Sequence, residues 1–174
     1  MKQSTPIKIG LKIPKNPDDI QEYTKEVINT LSRYVTISED IRRRIKLILI
    51  ELVTNSIKHS EDPNAEIRLT INHPELTIEK VDIGLQIKFT SNEQIPFEEV
   101  NKTIKVDFTE VNSLNIKIID PYRFKFLDAY KGNMDIEHLP ENFGLYIITR
   151  ASDGFEYQHD PRSKENTFIV NVKL

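Results

Sequence analysis

Apolar and polar residues alternate near the start of the chain and then change to a helical spacing. Residues Ile7 to Ile13 read Ile-Lys-Ile-Gly-Leu-Lys-Ile, which predicts a half-buried strand. Asn16 and Pro17 follow as an N-cap and a first helical residue. Apolar side chains then recur at three- and four-residue spacing as far as Leu31. The pattern therefore predicts one strand followed by a first helix.

A longer apolar stripe, from Ile41 to Ile57, predicts a second helix that Ser38 caps and that ends near Ser60. Beyond Pro63 the pattern returns to the alternation that is typical of strands. Four strands are predicted in this region, over Ala65–Ile71, Leu85–Phe89, Ile104–Phe108 and Leu114–Ile119.

The last third of the chain begins with a segment that has no clear period. Residues 121–142 contain two prolines and a glycine, which predicts a long loop. A third helix is predicted from about Phe143 or Gly144 to Ser152, and a final strand over Thr167–Leu174. Helices on one face of a mostly antiparallel sheet make a two-layer α/β sandwich, so the predicted fold class is α+β. We expect a single domain over residues 1–174.

Composition narrows the class of protein. The 174 residues are 38% hydrophobic and 29% charged, which is ordinary for a folded chain with a real core. No apolar run approaches the roughly 20 residues that a membrane-spanning helix needs, and the N-terminal residues lack the apolar region of a secretory signal. The chain has no cysteine and a formal net charge of −3. We therefore expect a cytoplasmic protein that binds neither a membrane nor nucleic acid.

The second predicted helix carries a polar stripe. Glu51, Asn55 and Lys58 are spaced by four and three residues, so their side chains lie on one face. A carboxylate, an amide and an ammonium on one face can polarise a hydroxyl or water, ligate a hard cation and meet a phosphate. The alternative is a solvated face, because the helix dipole favours cations such as Lys58 and His59 in any last turn.

The polar stripe and two later segments together resemble the motifs of a known superfamily. The run from Glu51 to His59 resembles the N box, Glu-x-x-x-Asn-x-x-Lys-His, of the ATPase superfamily shared by gyrase, heat-shock chaperones, sensor histidine kinases and mismatch-repair ATPases. Residues 142–148 resemble its second glycine box, and residues 166–170 resemble its closing strand. The segments follow the family's order, and the compact length is most similar to the anti-sigma-factor serine kinases. The resemblance implies the histidine-kinase-like ATPase fold.

The resemblance also implies a role for each residue of the N box. Glu51 would orient or deprotonate the attacking hydroxyl or water. Asn55 would hold Mg²⁺ against the triphosphate of ATP. Lys58 or His59 would face phosphate oxygens. ATP and Mg²⁺ are thus the implied cofactors.

Three further residues have implied roles outside the N box. Gly144 and Leu145, at the start of the third predicted helix, would cradle phosphate with their backbone N–H groups. Thr167, in the closing strand, would lie beside the adenine. These residues complete the nucleotide site that the resemblance implies.

The family's first glycine box, Asp-x-Gly-x-Gly after a strand, is expected after Leu85–Phe89. The residues that follow there contain neither the aspartate nor the glycines. Thr90, Ser91 or Asn92 would then accept the hydrogen bond that adenine gives to the family's aspartate, or Asp120 would. A lost charged acceptor costs about 1.5–3 kcal/mol, roughly tenfold to a hundredfold in affinity. We therefore expect weakened ATP binding, or none, on a retained fold.

Three functions are compatible with the resemblance. The first is a regulatory, ATP- and Mg²⁺-dependent serine/threonine protein kinase of the anti-sigma-factor type. Its partner would be a sigma factor or an antagonist-like protein, and the chain could also form a homodimer. The second is a degenerate, non-catalytic module that regulates by binding a protein partner. The third is a free-standing histidine-kinase catalytic domain, which would need its phosphoacceptor on a separate domain.

Overall fold

The structure is a computed structural model that describes residues 5–60, 62–90, 93–109, 112–127 and 143–174. In these residues it contains three α-helices and one antiparallel sheet of eight strands. The helices are α1 (Ile20–Leu31), α2 (Glu39–His59) and α3 (Gly144–Ala151). The strands are β1 (Ile7–Lys12), β2 (Glu66–Asn72), β3 (Glu75–Ile83), β4 (Thr103–Thr109), β5 (Asn112–Asp120), β6 (Arg123–Leu127), β7 (Gly154–Asp160) and β8 (Glu165–Lys173). The predicted α+β class with an antiparallel sheet is confirmed.

The helices begin where the capping residues predicted. The Asn16 side chain accepts a hydrogen bond from the N–H of Asp18 and caps a single 3₁₀ turn, which leads into α1. The Ser38 hydroxyl accepts from the N–H of Ile41, 3.3 Å away, and caps α2. None of the helices in the described ranges is long and apolar enough to cross a membrane.

The sheet has the strand order β1-β2-β3-β8-β7-β6-β5-β4. The last strand of the chain, β8, therefore lies in the interior of the sheet, between β3 and β7. Alternate side chains of each strand point to one face, and the buried ones form a single hydrophobic core with the helices. The core members on the three central strands of this face include Leu76, Ile78, Val170, Val172, Phe155 and Tyr157.

Two strand predictions need correction. The segment Leu85–Phe89 is not a strand, and the N–H of Ile87 donates to the Tyr157 hydroxyl rather than to the backbone of a neighbouring strand. Its alternation arises from packing, since Ile87 and Phe89 contact the core while Leu85 is 82% exposed. The strands β3, β6 and β7 were not predicted. Charged residues interrupt the inner face of β3, and β6 is short and lies within the predicted loop.

An aromatic cluster joins the segment after β3 to the strands β4, β6 and β7. Phe124 on β6 is fully buried, and its ring centroid lies 5.7 Å from that of Phe89 and 5.8 Å from that of Phe97. The Phe126 and Tyr157 rings lie 5.1 and 5.3 Å from it. These contacts give the β4–β6 end of the sheet its own part of the core.

Arg44 connects α2 to the end of α3. Its Nε donates to the carbonyl oxygen of Ala151 at 2.7 Å, and its Nη2 lies 2.8 Å from Asp153 Oδ2. The same Oδ2 accepts from the N–H of Lys173 at 2.7 Å. Burial raises the pKa of Asp153, but these hydrogen bonds outweigh it and the pKa is lowered. The Arg44 contacts fix α3 against α2, which sets the position of the start of α3.

Candidate functional site

Two polar side chains of α2 meet the first residue of α3. A Cβ atom built on Gly144 would lie 2.6 Å from Glu51 Oε2 and 3.3 Å from Asn55 Nδ2. Glycine at this position therefore leaves the space that the carboxylate and the amide occupy. Leu145 follows in the first turn of α3, where backbone N–H groups have no partner within the helix. The structure thus brings four of the predicted site residues together.

The helix α2 sets the electrostatics of the corner that Glu51, Asn55, Gly144 and Leu145 form. Glu51 and Asn55 are half-buried, whereas Lys58 and His59 are exposed in the last turn of the helix. Burial raises the pKa of Glu51, and the positive charge of Lys58 opposes that rise. Glu51 is therefore a stronger base than an ordinary glutamate, which suits an acid–base role.

Replacement of Glu51 by glutamine is expected to stabilise the protein at neutral pH. A raised pKa means that the folded state binds the proton more tightly than the unfolded chain, so the contribution of Glu51 to stability is lost as pH rises through its folded-state pKa. We expect Glu51→Gln to raise the Tm by about 2 °C at pH 7, since the carboxylate keeps part of its solvent contact. The difference should vanish at about pH 4.

Glu39→Gln provides the matched control on the same helix. Glu39 is exposed in the first turn of α2, where the helix dipole favours its charge, so this change should lower the Tm slightly at pH 7. Thermal unfolding at both pH values measures the two effects. A Glu51→Gln protein that is less stable at pH 7 would show that the carboxylate has a structural role.

The residues proposed to replace the first glycine box are not brought to this corner by any described contact. Ser91 and Asn92 lie outside the described residues. Asp120 ends β5, and its Oδ1 accepts the N–H of Tyr122 at 2.8 Å, so its carboxylate stabilises the turn before β6. The N–H of Thr90 donates to the carbonyl oxygen of Asp107. None of these contacts indicates a binding site for a nucleotide base.

A sequence similar to the pattern Asp-x-Gly-x-Gly lies at the end of β3. The last two residues of the strand and the three that follow read Asp82-Ile83-Gly84-Leu85-Gln86, with the aspartate and the first glycine of this pattern and glutamine in place of the second glycine. Sequence reasoning missed this box because the strand before it was not predicted. The apolar alternation of Leu76 and Ile78, six and four residues before Asp82, was the signal that could have found it.

Asp82 faces the closing strand. It pairs in register with Asn166 on β8, so these two side chains lie on the core face. Thr167 pairs with Val81 and lies on the opposite face. Asn166, one residue before the predicted Thr167, is therefore the residue of β8 that lies beside Asp82.

Asp82 belongs to a buried polar network. Its Oδ1 accepts from Asn166 Nδ2 at 3.0 Å, and its Oδ2 accepts from the Lys80 ammonium. Asn166 Nδ2 also donates to the carbonyl oxygen of Leu85, while its Oδ1 accepts from the Tyr157 hydroxyl at 2.6 Å and contacts His159 Nδ1 at 2.9 Å. Lys80, Asp82, His159 and Asn166 are each less than a tenth exposed. The network holds the Asp82 carboxylate in one orientation.

The end of α2 and the end of β3 are tied together. Asp62, just beyond α2, accepts the N–H of Ile83 at its Oδ2, 2.8 Å away. The N–H of Gly84 donates to the carbonyl oxygen of Lys164 at 2.9 Å. The backbone of the Asp82–Gly84 segment is therefore held between the helix that carries Glu51 and the turn before β8.

The donor set of this region fits Mg²⁺ only together with a phosphate ligand. In the described part of the chain, no group of three or more His, Asp or Glu side chains could hold a metal. Asn55 and Glu51 together offer an amide oxygen and a carboxylate. Mg²⁺ commonly uses one or two protein ligands and completes its shell with phosphate oxygens and water, so these residues fit such an ion.

Comparison with known proteins does not assign the chain to a family. No protein-family model matches this sequence. A search of curated proteins gives no match either. Function must be inferred from the contacts of the described residues.

Proposed function

We propose that the chain is an ATP-binding domain of the histidine-kinase-like ATPase type that acts as a regulatory serine/threonine protein kinase of the anti-sigma-factor kind. The observation that carries the proposal is the contact of Glu51 and Asn55 with Gly144 at the start of α3. Helices that share one core with one face of the sheet also support the two-layer sandwich expected of this family. We expect the protein to act in the cytoplasm on a sigma factor or an antagonist-like protein.

Each residue of this corner has a chemical task in the proposed reaction. Mg-ATP, when bound, supplies the phosphoryl group and the divalent charge that neutralises its oxygens. Asn55 offers an oxygen ligand to the cation, and the N–H groups of Gly144 and Leu145 donate to phosphate oxygens. Glu51 accepts the proton of a serine or threonine hydroxyl while that oxygen bonds to the γ-phosphorus and the bond to the leaving ADP breaks. Its raised pKa improves it as that base.

The Asp82–Gln86 segment at the end of β3 supports the same proposal, because it offers a residue that could bind the adenine of ATP. Asp82 would accept a hydrogen bond from the amino group of adenine, the role that the resemblance assigns to the aspartate of the first glycine box. Asn166 holds that carboxylate from the closing strand. The expected loss of affinity is therefore smaller than for a chain with no aspartate.

Asn55→Ala is expected to abolish the response to Mg-ATP. For the unmodified protein, Mg-ATP at about one hundred times its Kd should stabilise the native state by about 2.7 kcal/mol, which raises the Tm by roughly 5–10 °C. Removal of the amide oxygen takes away the cation ligand, so the Tm of the variant should not change with Mg-ATP. A thermal-shift titration, followed by calorimetry, measures both.

Asn29→Ala is the matched control, because Asn29 is an exposed asparagine on α1 and its loss should leave the Mg-ATP response intact. Gly144→Ala is a second test, since the added Cβ displaces the flexible end of Glu51. It should slow phosphoryl transfer and change the fold little. Equal affinity of the unmodified and Asn55→Ala proteins for Mg-ATP would refute the proposal.

A second candidate is the degenerate module that binds a protein partner without nucleotide chemistry. It is favoured by one observation: Lys80 and Asn166 already donate to both oxygens of Asp82. Gln86, which stands at the position of the second glycine, also favours this candidate. No response of the unmodified protein to Mg-ATP, with full binding of a partner protein, would support this candidate.

A further inference from the structure

The strand β4 lies at one end of the sheet, and in the described part of the chain it pairs only with β5. In an antiparallel pair, successive residues point their backbone groups alternately toward the partner strand and away from it. The N–H of Ile118 on β5 donates to the carbonyl oxygen of Lys102, so the backbone groups of Thr103 and Lys105 point outward. We call these outward groups the β4 edge.

The β4 edge is open beside a position that is already occupied. The nitrogen of Thr90 donates at 2.7 Å, and its hydroxyl at 2.9 Å, to the carbonyl oxygen of Asp107, two residues beyond Lys105. The N–H and C=O groups of Thr103 and Lys105 have no such partner among the residues that the structure describes, and both side chains are exposed. Four backbone groups are therefore available to an added strand.

A cavity of about 480 Å³ lies beside the β4 edge. Ile104, which lies between the two outward residues of β4, lines this cavity together with Ile118 of β5 and Phe97. These three side chains contact the hydrophobic core, so the cavity is on the core side of the sheet. Alternate side chains of a strand added to β4 would point toward this cavity, and those between them would point to the opposite face of the sheet.

The two sides of the β4 edge carry opposite charges. The cavity is also lined by three carboxylates, those of Glu93, Glu98 and Glu99. One of them, that of Glu99, pairs with Lys102 at 3.3 Å. On the opposite face lie Lys105 of β4 and Lys117, which pairs in register with Thr103. Neither of these two lysines forms a salt bridge with a described residue. An added strand would therefore meet net negative charge on one side and positive charge on the other.

We infer that the β4 edge binds an extended segment of a partner protein by antiparallel strand addition, with a basic side chain in the cavity and acidic side chains beside Lys105. Backbone hydrogen bonds to Thr103 and Lys105 supply affinity, and the two charged sides select an arginine or lysine that is flanked by acidic residues. The apolar stem of an arginine packs on Ile104 while its guanidinium meets the carboxylates. This docking site uses none of the residues of the proposed nucleotide site.

Fluorescence polarisation with a synthetic probe tests the charge pattern. The probe is the labelled peptide Thr-Val-Glu-Arg-Glu-Val-Thr, which places arginine on the cavity side and both glutamates on the lysine side. The peptide Thr-Val-Arg-Glu-Arg-Val-Thr exchanges the charges and should bind at least about tenfold more weakly, because like charges then meet. The net charge of the protein, −3, would by itself favour the second peptide, so a preference for the first reports the local pattern.

N-methylated peptides test the backbone pairing. In antiparallel addition the glutamate N–H groups face β4, because the glutamates lie opposite Thr103 and Lys105, whereas the arginine N–H faces solvent. Methylation of both glutamate nitrogens should weaken binding at least about tenfold, and methylation of the arginine nitrogen should change it by less than about twofold. Equal effects of the two methylations would overturn strand addition.

Variants of the protein test the β4 edge itself. Thr103→Pro removes an outward N–H at the first residue of the strand, where proline is tolerated, and should weaken binding at least about tenfold. Lys105→Ala should weaken binding by about twofold to fivefold. Lys8→Ala is the matched control, because Lys8 is an exposed lysine on the opposite edge strand, β1, and its loss should have no effect.

Circular dichroism checks that each variant is folded, and the methylated peptides on the unmodified protein decide the question if Thr103→Pro does not fold. Equal binding of the two charge patterns would overturn the inference. So would no binding of either peptide at about 1 mM, since the lysines would then only protect the edge from other strands.

Discussion

Asp82→Ala is expected to lower the free energy of unfolding by about 3–5 kcal/mol, because it leaves the buried Lys80 ammonium without its carboxylate. The change also removes an acceptor from Asn166, whose amide is otherwise fully paired. Urea unfolding followed by circular dichroism measures the loss.

The same change in an exposed ion pair provides the comparison. Glu99 pairs with Lys102 at 3.3 Å, and both side chains are more than half exposed, so Glu99→Ala should cost less than about 1 kcal/mol. The double variant Lys80→Met, Asp82→Leu should recover most of the stability, since apolar residues can replace a buried pair. A loss below 1 kcal/mol for Asp82→Ala would show that the pair is accessible to water in solution.

Phe124→Ala is expected to cost about 3–5 kcal/mol, because a fully buried ring at the centre of the aromatic cluster leaves a cavity. The cluster joins Phe89 and Phe97 to β4, β6 and β7, so the loss should be local. Hydrogen exchange should show weaker protection in β4–β6 than in β1, β2 and β3, because regions of the fold open separately. Equilibrium unfolding gives the total effect.

Tyr34→Ala is the control for this substitution, because Tyr34 is 52% exposed and its removal should change stability by less than about 0.5 kcal/mol. Phe124→Leu keeps most of the volume and should lose less than the alanine variant. If protection fell uniformly over all eight strands, the cluster would be part of one cooperative unit with the remainder of the core.

Local features of the candidate site could be predicted from the sequence. The stripe of Glu51, Asn55 and Lys58 depends only on the 3.6-residue repeat of a helix, and the cap at Ser38 depends on a contact three residues away. Gly144 at the start of α3 was likewise predicted from its neighbours. Such features depend on short stretches of chain, so a single sequence is enough to find them.

The part of the candidate site at the end of β3, which is proposed to bind adenine, could not be predicted in this way. Lys80 and Asp82 lie on the inner face of β3, where charged residues are normally evidence against a buried strand. They are tolerated there because they pair with each other and with Asn166, which comes from a strand far along the chain. The alternation of Leu76 and Ile78 indicates a strand, but the burial of the two charged residues becomes clear only when the partner strand is known.

The sequence by itself determined the helices, the antiparallel strands outside β3, β6 and β7, and the acid and amide on one helix face, because these follow from residue spacing and nearest-neighbour chemistry. Only the tertiary structure decided which groups meet. It placed Gly144 against Glu51 and Asn55, and it set Asp82 beside Asn166 rather than Thr167. These contacts depend on how helices and strands pack and on strand register. A shift of one residue in register reverses which side chains face the core.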